Sequence, residues 1–200
     1  MSNEIIIQES FEDIEEEIIV DKDEFNSREI AELKIKANEL VSDNEINELI
    51  SYPKIKKNLT YNLPHQTDGA LKILRDFNCN TLLADEVGLG KTITTGIVIK
   101  ESIERGMVKK ILILTPPSLV DQWVAELDEK FEIKFKIIES EKDWEDTDYA
   151  IASIDRVKIF NRETGDFRHK AAHEIPWDLL IVDEAHKLKD RRSIRTRFVD

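Results

Sequence analysis

A single cysteine, Cys79, stands in a chain of 200 residues. That excludes an internal disulfide and fits a reducing compartment; as a small residue leading into an apolar run, Cys79 is expected in the core. No apolar run approaches the roughly 18–20 residues of a membrane span. The N-terminus carries acidic residues where a signal peptide needs a basic region, so a soluble cytoplasmic protein is expected, with no membrane partner. No internal repeat is visible. Basic residues are scarce only at the front: residues 1–50 hold 16 Asp/Glu against 4 Lys/Arg, and residues 51–200 hold 26 against 25. The net charge of −13 therefore belongs to the N-terminal segment and does not exclude an anionic ligand or nucleic acid on the remainder.

What is present divides the chain in three. Residues 1–52 form an acidic N-terminal segment. Its triplets Ile5-Ile6-Ile7 and Ile18-Ile19-Val20 flank the run Glu12 to Glu17 and read as a weak strand pair or an arm that orders on docking. Apolar residues Ile30, Leu33, Ala37, Leu40 and Val41 fall at helical spacing, placing a helix over 27–41, with a second short one over 43–50. Residues 53–63, between Pro53 and Pro64, read as a basic-polar linker. From 64 to 200 the patterns alternate: helices over 66–77, 92–105 and 118–130, and strands over 81–84, 111–115, 135–139, 149–153 and 179–182. Continuous apolar strands alternating with helices predict an α/β fold with a mainly parallel sheet covered on both faces. Ligands then belong at the carboxyl ends of the strands.

Two motifs fall at such strand ends. The strand Thr81-Leu-Leu-Ala84 runs into Asp85-Glu-Val-Gly-Leu-Gly-Lys-Thr92, a Gly-rich turn opening a helix. Backbone N–H groups of such a turn cradle a phosphate chain, with the helix N-terminus facing the same anion. Lys91 supplies a point charge and the Thr92 hydroxyl a Mg²⁺ ligand. The general pattern fails at its first position, where Asp85 replaces glycine. The second motif, Asp178 to His186, is an apolar strand ending in Asp183-Glu184-Ala185-His186. Asp183 at that strand end can hold Mg²⁺ through water, and Glu184 can orient or deprotonate the attacking water. Carboxylates that merely follow a buried strand and cap the next helix are the plainer reading, weakened here by the Lys-Thr turn upstream.

Together these residues resemble the superfamily-two helicase-like ATPases of the SWI/SNF type, whose phosphate loop reads Asp-Glu-x-Gly-Leu-Gly-Lys-Thr. Asp85, the departure from the general motif, is what this family carries. Pro64-His65-Gln66 resembles the family's adenine-recognising glutamine motif. Thr115-Pro116-Pro117-Ser118-Leu119 with Gln122-Trp123, and Ile151-Ala-Ser153-Ile-Asp155, resemble its nucleic-acid backbone contacts. Asp183 to His186 is similar to its Mg²⁺ and water motif. The bacterial branch that includes the RNA-polymerase-associated recycling ATPase is the most similar in motif. The resemblance implies a RecA-like, ATP-binding lobe with ATP and Mg²⁺ as cofactors. It assigns nucleotide contacts to Gln66, Asp85, Gly88, Leu89, Gly90, Lys91 and Thr92, and metal contacts to Thr92 and Asp183. Catalytic roles fall to Lys91, Asp183 and Glu184, and nucleic-acid contacts to Thr115, Pro116, Ser118 and Ser153.

Other residues admit plainer readings. Trp123 is expected as a core anchor of its helix, and Trp144 and Trp177 as structural. His169 and His173 lack an evident third ligand, so no metal centre is expected there. The basic run Lys187 to Arg197 is either a phosphate-neutralising patch or a solvated or lobe-facing surface.

The family has a second lobe with an arginine finger, and a coupling motif on a strand between the phosphate-loop and tetrad strands. The chain ends 17 residues after Asp183. A truncated gene or fragment is therefore expected, with poor hydrolysis on its own and an unfilled slot in the sheet. The leading expectation is the ATP-binding lobe of a duplex-DNA translocase. Alternatives are a regulatory module docking a protein partner through its acidic arm, or the motor part of an RNA helicase or restriction enzyme.

Overall fold

A computed structural model describes residues 5–9, 46–59, 64–76, 81–84, 90–162, 165–188 and 193–199. Its centre is a six-stranded sheet in the order β2-β1-β8-β3-β5-β4. The strands are β1 (Ile5–Glu9), β2 (Thr81–Leu83), β3 (Ile111–Thr115), β4 (Lys136–Ile138), β5 (Tyr149–Ser153) and β8 (Leu179–Asp183). β6 (Phe160–Asn161) and β7 (Asp166–Phe167) form a separate small hairpin. β8, β3, β5 and β4 pair in parallel. The fold is the expected α/β arrangement, a mainly parallel sheet flanked by helices, consistent with a RecA-like lobe.

Alternation along each strand divides the core between two faces. Ile111, Ile113, Ile151, Leu179 and Ile181 pack on one side with Ile97, Leu127 and Phe131 from the helices Lys91–Glu104 and Val120–Phe131. Leu112, Leu114, Ala150, Ala152 and Val182 point to the other side, among Trp144, Val157 and Phe198. Strands buried on both faces have no use for polar alternation, which is why they appear in the sequence as unbroken apolar runs. At the amino end, the Asp178 carboxylate accepts hydrogen bonds from the backbone N–H groups of Lys109 and Lys110, at 2.6 and 2.7 Å, pinning the start of β8 beside β3.

Two expectations fail here. The slot between the phosphate-loop strand and the tetrad strand is not empty. β1 fills it, antiparallel to both neighbours, with Ile5 opposite Leu83 on one side and Asp183 on the other. An unpaired pair of central edges would leave rows of N–H and C=O groups without partners, and β1 satisfies both. Second, part of the segment expected as a linker is packed structure. Tyr52–Ile55 is a helix followed by a 3-10 turn over Lys56–Asn58, and Ile55 is buried in the core.

No helix spans residues 46–50. This stretch is instead clamped by Glu101 of the long helix, whose carboxylate accepts from the Ile50 and Ser51 backbone N–H groups, the Ser51 hydroxyl and Arg105 Nε. The triplet at 18–20 and the helix expected over 27–41 lie outside the described residues.

Candidate functional site

Double antiparallel pairing through β1 makes β2 run in the same direction as β8, and therefore as β3 and β5. The carboxyl ends of all four strands meet at one edge of the sheet. Leu83 and Asp183 flank the same residue of β1, so their backbones lie about 10 Å apart, two strand spacings. The ends of β2 and β8 are thereby brought to one edge from about 100 positions apart in sequence.

On the β2 side, the turn ends at Gly90, which caps the helix Lys91–Glu104 with φ of 80°. That left-handed conformation is cheap only for glycine. A Cβ at Gly90 would also stand 2.1 Å from Gln66 Nε2, so the Gln66 side chain lies directly against the end of the turn. Gln66 belongs to the helix Pro64–Asp76 and is buried, as is Lys91, while Thr92 is half-buried. Asp85, Gly88 and Leu89 lie outside the described residues.

On the β8 side, the Asp183 carboxylate is buried and fully oriented. Its Oδ2 accepts from Thr115 Oγ1 at 3.1 Å and from Trp123 Nε1 at 2.9 Å, and its Oδ1 accepts from the Glu184 backbone N–H at 2.8 Å. Glu184 takes φ of 58°, a left-handed conformation that costs a non-glycine residue of order 1 kcal/mol and clusters at functional sites. The turn aims its side chain back toward His186, whose Nδ1 lies 3.1 Å from Glu184 Oε2. Asp183 and Glu184 supply two carboxylates at the carboxyl end of β8, and Lys91 and Thr92 supply a cation and a hydroxyl at the N-terminus of the helix that follows β2. That donor set fits a nucleotide with its Mg²⁺, the residues present being of the kind each part requires.

The family model for the SNF2-related domain matches residues 65–200. The chain belongs to the SNF2-related family. It is 46% identical over 139 residues to the uncharacterized ATP-dependent helicase YqhH of Bacillus subtilis, an alignment covering 68% of this chain and 24% of that protein. It is 36% identical over 137 residues to the RNA polymerase-associated protein RapA of Photobacterium profundum, covering 64% and 14%. With RapA of Actinobacillus pleuropneumoniae the identity is 35% over 158 residues, covering 69% and 16%. The chain therefore spans about a quarter or less of the length of these relatives.

Of the SNF2-type residues expected to meet nucleic acid, Ser118 is exposed, whereas Thr115, Pro116 and Ser153 are buried. Thr115 stands opposite Ser153 in the β3–β5 register, and its hydroxyl is turned to Asp183 rather than outward. Ser153 lines a cleft of about 620 Å³ with Pro117, Asp121, Glu139, Asp155 and Arg156. Asp155 is held below the usual carboxylate range by hydrogen bonds from Lys158 and Arg195, which outweigh its partial burial. Arg195, from the basic run, reaches Asp155 at 2.6 Å, and Arg197 lies 5.0 Å over the Phe160 ring. These two arginines of the run are engaged within the fold.

His169 accepts from Trp144 Nε1 at 3.1 Å, and His173 stacks on Phe167. Burial pushes both imidazoles below the ordinary histidine value.

Trp123 is the site residue that sequence reasoning missed. Its ring is a core anchor, as expected, but its N–H reaches a carboxylate 60 residues away. The one available signal was its place in Gln122-Trp123, inside the motif that resembles a nucleic-acid backbone contact.

Proposed function

We propose that residues 64–200 are an ATP-binding lobe of an ATP-dependent duplex-DNA translocase. The observation that carries this reading is the ending of β2 and β8 at one sheet edge, with Leu83 and Asp183 opposite the same residue of β1, together with Gln66 packed against Gly90 at the start of the helix Lys91–Glu104. Bound Mg·ATP would supply the phosphoanhydride and the cation that activates it. Lys91 and the backbone N–H groups at the helix start bind the phosphates; Thr92 and Asp183 hold the metal; Gln66 reads the adenine edge with one donor and one acceptor. Glu184, aimed by its left-handed backbone, orients the water and takes its proton. Ser118 and the cleft beside Ser153 provide the track for the nucleic-acid backbone. A cytoplasmic location and a protein partner met through the acidic N-terminal segment complete the proposal. Among the described residues no helix is long and apolar enough to cross a membrane.

Lys91→Ala tests the nucleotide assignment. Equilibrium titration with a fluorescent ATP analogue should show at least a hundredfold loss of affinity. Affinity within threefold of the unaltered chain would refute the assignment. Stimulation of ATP turnover by duplex DNA but not by RNA, measured on the longest natural form of the protein, tests the substrate.

A further inference from the structure

A buried tryptophan contributes to a core through its ring, and the indole N–H then takes whatever acceptor is near. In this fold Trp177 donates to the Ala172 carbonyl at 2.8 Å and Trp144 to His169, both away from the site edge. Trp123 donates to the carboxylate on which metal binding is proposed to depend. Its side chain is 2% exposed, so this bond is not shared with solvent. A carboxylate offers about four acceptor positions. Asp183 spends two of them on one oxygen, to Thr115 and Trp123, and a third on the other, to the Glu184 N–H. Counting donors among the described residues, one position remains, on Oδ1. The two donors on Oδ2 thus fix which oxygen keeps an open acceptor position.

Those donors sit on either side of the segment Pro116–Leu119. Thr115 ends β3 immediately before it, and Trp123 lies one turn into the helix Val120–Phe131 immediately after it. The segment Pro116–Ser118 is therefore connected on one side to the Thr115 donor and on the other, through the helix start, to the Trp123 donor.

We propose that Trp123 is a positioning residue: its indole N–H holds the Asp183 carboxylate in the orientation that leaves one Oδ1 lone pair for the Mg²⁺ shell, and it links that orientation to the position of Pro116–Ser118. The proposal rests on the reading of this edge as a Mg·ATP site. Groups that orient a metal-holding side chain typically change metal affinity 10- to 100-fold when removed. They leave contacts made by the rest of the ligand alone.

Trp123→Phe keeps the ring and removes the N–H. In the 200-residue chain, affinity for a fluorescent ATP analogue in EDTA should stay within twofold of the unaltered chain. The Mg²⁺ concentration at which added metal half-maximally tightens binding should rise about tenfold. Thr115→Val, which removes the other donor at nearly constant shape, should shift the same midpoint in the same direction. An unchanged midpoint in Trp123→Phe overturns the proposal. So does an equal loss of affinity in EDTA and in Mg²⁺, which is the signature of a merely structural role. If Trp123→Phe does not fold, the indole ¹H–¹⁵N resonance of Trp123 in the unaltered chain decides. It should move when Mg²⁺ is added to the nucleotide-bound chain, and a resonance that stays fixed refutes the idea. Retained nucleotide affinity in Lys91→Ala would remove the nucleotide reading and this proposal together. Loss of affinity in that variant with no effect of Trp123→Phe removes only this one.

Discussion

Replacing Glu101 by Gln should destabilise the chain by about 2–3 kcal/mol at pH 7, because this carboxylate is the buried tie between residues 50–51 and the helix that starts at Lys91. It is 0% exposed. Its two oxygens accept from Ile50 N at 2.9 Å, Ser51 N at 2.8 Å, Ser51 Oγ at 2.6 Å and Arg105 Nε at 2.7 Å. Glutamine keeps one acceptor oxygen and turns an NH₂ group toward donors. At least one buried donor is left facing another, which costs about 1–3 kcal/mol. The lost ion pair with half-buried Arg105 adds to this, discounted because Arg105 reaches solvent.

Burial alone would raise the Glu101 pKa, but the hydrogen bonds from the Ser51 hydroxyl, the Ser51 and Ile50 backbone and Arg105 outweigh it and hold the carboxyl below the usual range. A depressed folded-state pKa means the stabilisation is fully present above the unfolded glutamate pKa of about 4.3 and disappears as pH falls through the folded value. Urea unfolding of both chains at pH 7, 6, 5 and 4 should therefore give a gap that is level from 7 to about 5 and narrows below. A gap under 0.5 kcal/mol at pH 7, or one that persists unchanged into acid, would show that the tie does not carry the energy assigned to it.

Two other substitutions probe how the elements are held. Gly96→Ala should lower the unfolding free energy by up to about 2 kcal/mol. Alanine favours a helix by about 1 kcal/mol over glycine, yet a Cβ here meets Phe131 Cε2 at 2.3 Å, and overpacking costs about 1–3 kcal/mol. A stabilised variant would mean that the Phe131 ring yields easily. Ile6→Pro removes a backbone N–H from the strand paired with both Leu82 and Val182. It should cost about 3 kcal/mol or more and expose sheet edges to a hydrophobic dye. A melting temperature within 2 °C of the unaltered chain would exclude β1 from the sheet.

The parts of the fold that were legible in the sequence are those whose burial is complete. β3, β5 and β8 stand out as apolar runs because both faces are covered, and the tetrad was found because it follows one of them. β1 was only half legible. Its isoleucines marked a strand, but its partners lie some 75 and 175 positions away, and no local pattern encodes a pairing at that distance or its antiparallel sense. The segment around Tyr52 looked like a linker because its lysines face water, while Ile55, its fully buried apolar residue, carries no periodicity. Trp123 shows the same limit at the site. Its burial follows from helical spacing, but the acceptor for its N–H depends on β8 lying beside β3, which only the assembled sheet determines.

The direction of β1 has a practical corollary for anyone handling the protein. Since Ile5 lies level with the ends of β2 and β8, the amino end of β1 sits at the edge that carries Asp183. An affinity tag joined close ahead of β1 would crowd that edge and is better moved elsewhere. A small fluorophore joined at the same end, by contrast, would report on events at Asp183 at no cost to any side chain of the site.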